Sequence, residues 1–377
     1  MRCQLASVAR ALDAAESEFG VRGGHAVDEH LARFDPVDEL ILFGLVGGPG
    51  VSAEAESGVV GDRNRLVDVL DAGLADPDVI VGDIDLVDAT ERAAIEGWSR
   101  GVEVGLGWSG RSVGSVVAER VGLSVGSVAV RVGGRVVSYG EFGGLVGGVA
   151  RELSGLGVGV DSAVGVVMSR SLELLVAVHA VVAVGGRYVP VEVDAPAERV
   201  GFMLSTAGVG VVLVRAGDVG GGSVVSGVGG VRRVVVDCGE GVGVSVDGVV
   251  VGEGLGVGLL GEVVSGVGEV PGGAGVYTLF TSGSTGRPKG VTVSQAAVVN
   301  RLGWMQSLFG LERRDVVLWK TPVSFDVSVW ELFWPLMVGA SVVVAEPGGH
   351  RDPWYVASVV ERFGVSVCHF VPSMLSV

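Results

Sequence analysis

The sequence has 377 residues, of which 48% are hydrophobic and 19% charged, a balance typical of folded domains and not of disordered chains. Its formal net charge of −16 leaves no basic surplus to neutralise the phosphates of a polynucleotide, which argues against nucleic acid as a partner. The three cysteines, Cys3, Cys238 and Cys368, are widely separated, form no CxxC pair and accompany no paired histidines. This pattern argues against both a metal site and a disulfide framework.

A mean hydropathy of +0.55 raises the question of a membrane span. The longest apolar stretch, residues 174–186, contains His179 and is followed by Arg187. A spanning helix needs about 20 apolar residues, so this stretch predicts a buried core helix instead. Residues 1–19 carry charges on both sides of a short amphipathic stretch and have no apolar signal core. We therefore predict a cytoplasmic protein that makes no membrane contact.

The N-terminal part of the chain is weakly patterned. Residues 1–60 receive no assignment, whereas residues 65–76 place leucine and valine on one helical stripe. Asp88 and Glu91 have the spacing of a capping box and predict a helix that ends near Trp98.

A linker and then a regular alternation follow. Residues 99–112 are rich in glycine and serine and predict the linker, and residues 215–274 contain glycine and valine runs in which we assign no element. The predicted strands are residues 135–139, 164–168, 188–191, 211–214, 277–281, 316–319, 341–345 and 365–370. The first predicted helix ends at Ser154, the second spans residues 174–186 and the third begins at Pro196. The fourth begins at Ser294, with Val298, Leu302, Met305 and Phe309 on one stripe. The fifth runs from Asp352 to Gly364.

Strands that alternate with helices indicate a mostly parallel sheet, because a parallel connection needs a crossover long enough to hold a helix. We therefore predict an α/β fold over residues 113–377, with doubly wound, mostly parallel sheets and helices on both faces. A small α+β remnant is expected before it. Residue 377 falls in the middle of the alternation, so the expected domain is incomplete.

Residues 281–290, Thr-Ser-Gly-Ser-Thr-Gly-Arg-Pro-Lys-Gly, directly follow a hydrophobic strand. Glycines let backbone amides form an anion-binding concavity, hydroxyls supply neutral donors, and Lys289 adds a point charge. The segment is not a Walker A loop, because Pro288 stands five residues after Gly283 and glycine follows Lys289. The composition indicates a polyphosphate loop, and the alternative is a solvated hairpin rich in serine and glycine.

The longer stretch 277–291, Tyr-Thr-Leu-Phe-Thr-Ser-Gly-Ser-Thr-Gly-Arg-Pro-Lys-Gly-Val, resembles the phosphate loop of the adenylate-forming superfamily. Members of that superfamily include peptide-synthetase adenylation domains, acyl-CoA synthetases and luciferases. They join a carboxylate to the α-phosphate of ATP and release pyrophosphate. The resemblance implies use of ATP and Mg²⁺, with the loop folded over the β- and γ-phosphates. The ATP-binding residues that it implies are Thr281, Ser282, Gly283, Ser284, Thr285, Gly286 and Lys289.

Three further stretches resemble the amino-acid branch of that superfamily, the adenylation domains of non-ribosomal peptide synthetases. Residues 137–142, Val-Ser-Tyr-Gly-Glu-Phe, resemble the opening motif of these domains. Residues 185–190 with 194–199 resemble the second motif, although Arg187 stands where a small residue is usual and Val-Glu-Val where Leu-Asp-Pro is usual. Residues 324–331, Ser-Phe-Asp-Val-Ser-Val-Trp-Glu, resemble the third.

Asp326 separates this branch from the others. An amino-acid substrate brings a cationic α-amino group into its pocket, and a carboxylate partner contributes roughly 1.5–3 kcal/mol through a charge-assisted hydrogen bond. A fatty acyl or luciferin pocket has no such need. The structural alternative is that Asp326 caps a helix beginning near Val329, with Ser328 as a competitor for that position. Pro335 is expected to shorten or kink this helix.

In the resembling family, the helix after the Phe-Asp motif and the next parallel strand line the amino-acid pocket. The pocket positions fall here on Asp326, Val327, Trp330 and His369, a quartet that resembles the set of serine-activating domains. Trp330 would leave room for a small side chain only, and His369 would offer a hydrogen bond to a hydroxyl. The alternatives are a core tryptophan and a satisfied core histidine at a strand end.

The segment before the linker agrees with this resemblance. Residues 61–98 resemble the closing segment of a condensation domain, which precedes adenylation domains in these synthetases, but the sequence contains no HHxxxDG-like motif. Condensation activity is therefore not expected. The implied organisation is an unassigned segment (1–60), a condensation-domain remnant (61–98), a linker (99–112) and the N-terminal subdomain of an adenylation domain (113–377).

The implied activity is ATP-dependent conversion of an amino acid, with serine as the candidate, into aminoacyl-AMP for loading onto the phosphopantetheine of a carrier. The expected partners are a peptidyl carrier domain and other synthetase modules of secondary-metabolite biosynthesis. The catalytic lysine of the family's C-terminal subdomain is expected beyond Val377, so we assign no catalytic residue and expect the chain alone to be inactive. Two alternatives stay open: an acyl-CoA or aryl-acid ligase of the same superfamily, and a non-catalytic fragment or pseudogene product.

Overall fold

The computed structural model describes residues 69, 72, 74–76, 79–80, 83–99, 107–218, 230–239, 243–246, 249–252, 259–281 and 287–375. These residues fall in two compact units, Met1–Gly101 and Val102–Val377. Residues 1–60, to which the sequence analysis gives no assignment, lie outside the described residues. None of the described helices combines the length and the apolar character that crossing a membrane requires.

The described part of the first unit contains helix α1 (Ala89–Ser99). The side chain of Asp88 accepts a 2.7 Å hydrogen bond from the backbone amide of Glu91, as an N-cap carboxylate does. This confirms the predicted helix start, and the helix ends one residue beyond the predicted Trp98. Within the stripe predicted over residues 65–76, the helical residues that the structure describes are Val69, Ala72, Leu74 and Ala75.

The second unit alternates helices and strands. Its helices are α2 (Val113–Leu123), α3 (Tyr139–Gly155), α4 (Leu172–Ala183), α5 (Ala197–Thr206), α6 (Leu259–Val267), α7 (Gln295–Phe309), α8 (Ser328–Val338), α9 (Pro353–Phe363) and α10 (Pro372–Leu375). Its strands are β1 (Val128–Val132), β2 (Arg135–Ser138), β3 (Ala163–Val167), β4 (Arg187–Val191), β5 (Val211–Arg215), β6 (Arg232–Asp237), β7 (Gly243–Val246), β8 (Val249–Gly252), β9 (Gly275–Thr281), β10 (Lys289–Ser294), β11 (Val316–Trp319) and β12 (Ser341–Val344).

The strands form two sheets whose inner pairs are parallel. The larger sheet has the order β10-β9-β4-β3-β5-β6-β7-β8, with parallel pairing from β9 to β6 and antiparallel pairing at both ends. The smaller sheet has the order β11-β12-β1-β2, and only the β1–β2 pair is antiparallel. The predicted α/β fold with doubly wound, mostly parallel sheets is confirmed.

The two sheets share one layer of helices. Along β3, Val164 and Val166 belong to the main core, which also contains residues of the smaller sheet, whereas Ala163 and Val167 pack with α5 on the opposite face. This alternation follows from the two-residue period of a strand. On the far face of the smaller sheet, Leu318 packs with residues of α9. The layers are therefore α5, the larger sheet, the central helices, the smaller sheet and α9.

The central layer contains α4, which corresponds to the apolar stretch at 174–186. Every residue of α4 except Glu173 is buried. A helix that is apolar all round has no solvent face and packs within a core. The prediction of a buried core helix is confirmed, although the helix begins two residues earlier and ends at Ala183.

Local sequence accounts for the helix ends. Four helices begin after a serine whose side chain accepts a hydrogen bond from the amide three residues later; the serines are Ser112, Ser138, Ser171 and Ser294. Asp352 caps α9 in the same way, with Pro353 in the first turn. Glycines in the left-handed conformation end α7, α8 and α9; they are Gly310, Gly339 and Gly364. The predicted starts at Ser294 and Asp352 and the predicted stop at Gly364 are confirmed.

Several element predictions were wrong in detail. Residues 289–290 belong to strand β10, not to a loop, because β10 pairs antiparallel with β9 along its whole length. Pro196 is the N-cap of α5 and not its first residue. Phe309, predicted on the buried stripe of α7, is 60% exposed, because it is the last residue of the helix and the chain turns at Gly310.

The strand predicted at 365–370 is also wrong. The segment runs beside β11 but forms only an isolated parallel bridge between Val317 and Val367. The Ser366 hydroxyl accepts the hydrogen bond from the Val316 amide (3.0 Å), so that amide does not enter a regular ladder.

Candidate functional site

The candidate site lies where strand ends of the two sheets meet. In open α/β sheets, ligands bind beyond the carboxyl ends of the strands. Glu192 directly follows β4, and its carboxylate accepts a 2.5 Å hydrogen bond from the hydroxyl of Ser324, in the turn that follows β11. This bond joins the second and third sequence motifs in space.

The predicted phosphate loop connects β9 and β10. Thr281 and Lys289 face each other as the last pair of this hairpin, and both are exposed. Residues Ser282, Gly283, Ser284, Thr285 and Gly286 lie outside the described residues. The hairpin is reinforced by a 2.8 Å hydrogen bond between the hydroxyls of Thr278 and Thr292. A hydroxyl and an ammonium group at the tip suit a polyphosphate chemically.

Asp326 lies in a turn between β11 and α8. The turn is made by hydrogen bonds from the Phe325 amide to the Pro322 carbonyl (3.1 Å), and from the Val329 amide to the Asp326 carbonyl (3.0 Å). Val327 is the N-cap of α8 and makes no side-chain capping bond. The alternative that Asp326 caps this helix is therefore wrong. Its side chain is exposed and makes no hydrogen bond or ion pair with another described residue.

The charge of Asp326 acts on two neighbours, Tyr277 and Arg301. Burial first, and the negative charge of Asp326 second, raise the pKa of Tyr277 to about 12. Burial lowers the pKa of Arg301, and the same carboxylate partly reverses that shift. The Arg301 guanidinium stacks on Trp304 with its carbon 4.4 Å from the ring centre. Asp326 therefore stands close to β9 and α7 without being neutralised by an ion pair.

Val327 and Trp330 continue from Asp326 into the first turn of α8. Both are half-buried, and Trp330 packs against the main core. Its ring centre lies 6.0 Å from that of Trp334, whose indole nitrogen donates a 2.7 Å hydrogen bond to Gln306. Trp330 is therefore packed against Trp334 and remains partly exposed to solvent.

His369 follows the segment that bridges to β11. It is half-buried, and its ring makes no hydrogen bond to another described residue, so the alternative of a satisfied core histidine does not describe it. Burial, and then the positive charge of Lys320, lower the pKa of His369 below its ordinary value of 6.5. The imidazole is therefore neutral at physiological pH.

The structure places three of the four predicted pocket residues together. Asp326, Val327 and Trp330 share one turn and one helix start, and His369 lies in the segment after Val367, which pairs with β11 in parallel. Among the described residues, no hydrogen bond, ion pair or ring contact joins His369 to Asp326. The described residues also contain no cluster of three or more side chains able to bind a metal ion.

Sequence reasoning assigned no role to two buried charged residues beside the site, Lys320 and Glu331. Lys320 is 4% exposed, and its ammonium lies 4.9 Å from the centre of the Phe370 ring. Burial raises the pKa of Glu331 to about 7, against the opposing effect of hydrogen bonds from Thr321 and the charge of Lys320. Their signal in the sequence is a single charge at the edge of, or within, an apolar run.

The sequence analysis also assigned no role to Arg170, a single charge beside an apolar run. It follows β3, and its guanidinium donates hydrogen bonds to the backbone carbonyls of Lys320 and Glu346, the latter at 3.3 Å. The same group lies 5.8 Å from the centre of the Trp319 ring. Arg170 thereby ties the end of β3 to the segments that follow β11 and β12.

Comparison with known proteins places this geometry in a family. The family model of the AMP-binding enzymes matches residues 118–377. The chain belongs to this family. Its relatives show that the adenylation domain is of the kind found in non-ribosomal peptide synthetases.

Several such synthetases resemble the chain over most of its length. Phosphinothricin tripeptide synthetase PhsB of Streptomyces viridochromogenes is 33% identical over 360 residues, which is 93% of this chain and 28% of that protein. Enterobactin synthase component F of Escherichia coli is 33% identical over 369 residues, 92% of this chain and 26% of that protein. Zwittermicin A synthase ZmaJ of Bacillus cereus is 33% identical over 258 residues, 68% of this chain and 45% of that protein. The chain thus spans less than half of the length of each of these relatives.

Solved structures share the fold. The non-ribosomal peptide synthetase FmoA3 in its AMPPNP-bound form superposes with a TM-score of 0.67 at 24% identity, covering 88% of this chain and 32% of that chain. The four-domain synthetase AB3403, bound to AMP and glycine, gives a TM-score of 0.66 at 22% identity, covering 86% of this chain and 22% of that chain.

Proposed function

We propose that the adenylation domain activates an amino acid, serine, as seryl-AMP at the expense of ATP. The observation that carries this proposal is the state of the Asp326 carboxylate. It is exposed, caps no helix and has no ion-pair partner among the described residues. A substrate ammonium group would supply the missing charge, and a charge-assisted hydrogen bond of this kind contributes roughly 1.5–3 kcal/mol.

The choice of serine rests on Trp330 and His369. Trp330 is braced by Trp334, so it would limit the pocket to a small side chain. His369 is neutral at physiological pH because its pKa is lowered, and it would not compete with the substrate ammonium group for Asp326. A neutral imidazole can accept or donate a hydrogen bond to a hydroxyl. A site built to bond a hydroxyl rejects the analogue without it by about 10⁴-fold or more.

ATP would bind along the β9–β10 hairpin. Thr281 and Lys289 are exposed at its tip. Ser282 to Gly286, which lie outside the described residues, would complete the proposed contact with the phosphates. Mg²⁺ usually binds through one or two carboxylates and substrate phosphates. The absence of a metal-binding cluster among the described residues is compatible with an ion that arrives on the nucleotide. ATP supplies the α-phosphate to which the amino-acid carboxylate becomes joined.

The remaining organisation is part of the same proposal. Residues 61–98 would end a condensation domain, 99–112 would form the linker, and 113–377 would form the N-terminal subdomain of the adenylation domain. Seryl-AMP would be passed to the phosphopantetheine of a peptidyl carrier domain within a cytoplasmic synthetase.

The test is amino-acid-dependent pyrophosphate exchange. Residues 320–377 are grafted into a complete adenylation domain of this family, and exchange is compared for serine, alanine and threonine. We expect a preference for serine, and we expect Asp326→Ala to abolish exchange with every amino acid. Preference for a large apolar amino acid would reject serine. Exchange with fatty or aryl acids, or indifference to the loss of Asp326, would favour an acyl or aryl ligase instead.

A further inference from the structure

Glu331 is a fully buried carboxylate that accepts hydrogen bonds from the two residues directly after β11. Its exposed fraction is zero, and it lies in the first turn of α8. Its Oε2 atom accepts hydrogen bonds from the backbone amides of Lys320 (3.2 Å) and Thr321 (2.9 Å). Its Oε1 atom accepts one from the Thr321 hydroxyl (2.9 Å). Three donors offset the loss of hydration that burial of a carboxylate entails, and the contact closes residues 321–331 into a loop.

The closed loop carries Asp326 near its middle. Its internal framework consists of backbone hydrogen bonds and of the Ser328 hydroxyl, which donates to the Phe325 carbonyl at 2.6 Å. Ser324 fastens the outer side of the loop to Glu192. The Asp326 side chain takes no part in this framework among the described residues. Other groups hold the loop, and the Asp326 carboxylate is exposed.

We infer that Glu331 is a positioning residue for amino-acid recognition, which fixes the 321–331 loop to α8 and thereby sets the place of the Asp326 carboxylate. The inference rests on the proposed function, because it concerns the same amino-acid site. Glu331 is buried and acts through the loop without touching the substrate. Hydrogen bonds weaken steeply with distance and angle, so a small displacement of Asp326 would lower the affinity for the α-amino group.

A purely structural role for Glu331 predicts a different result. If Glu331 only stabilised the fold, its loss would lower the affinity of the site for every ligand by a similar factor. If it positions Asp326, its loss weakens only the part of binding that depends on the ligand's α-amino group. A stable sulfamoyl analogue of seryl-adenylate and its desamino counterpart isolate that part, because they differ only in the group that Asp326 would bind.

The experiment measures the dissociation constants of both analogues by calorimetric titration of the full 377-residue chain. We expect the wild-type chain to bind the amino analogue about 10–100-fold more tightly, the equivalent of one charge-assisted hydrogen bond. Glu331→Ala should reduce this ratio about tenfold or more, towards that of Asp326→Ala, and leave the desamino analogue within about twofold of wild type. Glu361→Ala, on the exposed face of α9, is the matched control and should change neither constant.

Glu331→Gln provides the rescue. A glutamine oxygen can accept both backbone hydrogen bonds, and its amide nitrogen can donate to the Thr321 hydroxyl, so the loop should stay in place. We expect its amino-to-desamino ratio to match wild type. Thr321→Val removes only the hydroxyl bond and serves if Glu331→Ala does not fold, with a smaller fall in the ratio expected. A wild-type ratio in Glu331→Ala or Thr321→Val, or a parallel loss for both analogues, would overturn the inference.

Failure of the proposed function has a separate signature. If the wild-type chain itself does not distinguish the two analogues, Asp326 does not bind the α-amino group and serine activation is rejected. The positioning role of Glu331 is then tested by measuring the rates of amide hydrogen exchange. Glu331→Ala should accelerate amide exchange across residues 320–329, whereas Glu331→Gln should not, and unchanged exchange in Glu331→Ala would contradict the inference.

Discussion

The Tyr139 hydroxyl donates a 2.6 Å hydrogen bond to the backbone carbonyl of Ala340, 201 residues later in the chain. Tyr139 begins α3, and Ala340 immediately precedes β12; both are fully buried. The bond therefore ties the central helical layer to the start of a strand in the smaller sheet. Burial also raises the pKa of Tyr139, so the hydroxyl stays protonated and remains a donor.

Removing this bond should destabilise the domain. Tyr139→Phe leaves the buried carbonyl of Ala340 without its tyrosine donor, and we expect a loss of about 1–3 kcal/mol in the free energy of unfolding. Tyr188→Phe is the matched control, because the buried hydroxyl of Tyr188 has no hydrogen-bond partner among the described residues. That change should be neutral or stabilising in urea denaturation. Equal effects of the two changes would contradict this account.

His179 should make the domain sensitive to acid. It is buried between the rings of Phe142 and Phe333, and its Nε2 atom donates a 3.0 Å hydrogen bond to the Leu332 carbonyl. Burial lowers its pKa from 6.5 to about 4. Because the pKa of His179 is depressed in the folded state, its contribution to the free energy of unfolding is complete above pH 6.5. This contribution is lost as the pH falls towards 4. The loss amounts to about 3 kcal/mol.

Glu331 should act in the opposite direction. Its folded pKa is raised from 4.5 to about 7, so its contribution is complete below pH 4.5 and is lost as the pH rises through 7. Between pH 4.5 and 6.5 the two groups oppose each other. His179→Gln keeps only the contribution of Glu331, so we expect its free energy of unfolding to rise as the pH falls through this window. Glu331→Gln keeps only the contribution of His179, so we expect its free energy of unfolding to fall more steeply than that of the wild type. Urea denaturation in steps from pH 7.5 to 4.5 measures both, and parallel curves for the three proteins would refute the assignment.

Lys289 should matter for ATP and not for the fold. It is exposed at the first position of β10, so Lys289→Ala should leave thermal unfolding unchanged. Loss of a charge-assisted contact with a phosphate should weaken binding of a non-hydrolysable ATP analogue by about tenfold or more. Arg151→Ala removes an exposed cation from α3 and is the control. An unfolded Lys289→Ala protein, or one with unchanged nucleotide affinity, would indicate a structural hairpin.

Gly147 lies where α3 packs closely against the start of α6. A Cβ atom at this position would stand 2.6 Å from the Leu260 amide nitrogen and 2.9 Å from the Leu259 carbonyl carbon. Gly147→Ala should therefore destabilise the domain by about 1–3 kcal/mol, since backbone must move. Gly155 ends the same helix with nothing near its Cβ position, so Gly155→Ala should be stabilising by up to about 1 kcal/mol. Equal melting temperatures of the two variants would contradict the packing described for α3.

Local signals in the sequence were enough for most elements of the second unit. Short runs of apolar and β-branched residues predicted β3, β4, β5, β9, β11 and β12, and side-chain caps such as Ser294 and Asp352 predicted helix starts. Both depend on neighbouring residues only. The pairing of strands does not, because it is decided by which apolar faces meet. No periodicity indicated that β1 and β2 join β11 and β12 in a separate sheet.

The site was predictable to a similar extent. The Phe-Asp motif located Asp326, Val327 and Trp330 at the start of α8, and these positions remain predictions as substrate contacts. The role of Glu331 could not be predicted, because its partners include two backbone amides, and every residue type except proline has one. The hydrogen bond between Glu192 and Ser324 was not predicted, because the local sequence around each residue does not indicate that the two lie close together in the fold.

The pairing of β1 with β12 has a consequence for how the protein is made. Val130 lies opposite Val342 in the parallel pair, so the first strand of the smaller sheet leaves the ribosome about 200 residues before its partner. At a synthesis rate of about 5–20 residues per second, β1 waits roughly 10–40 seconds with one edge unpaired. An unpaired strand edge is a template for aggregation. We therefore expect the yield of folded domain in a cell to fall when this wait is prolonged.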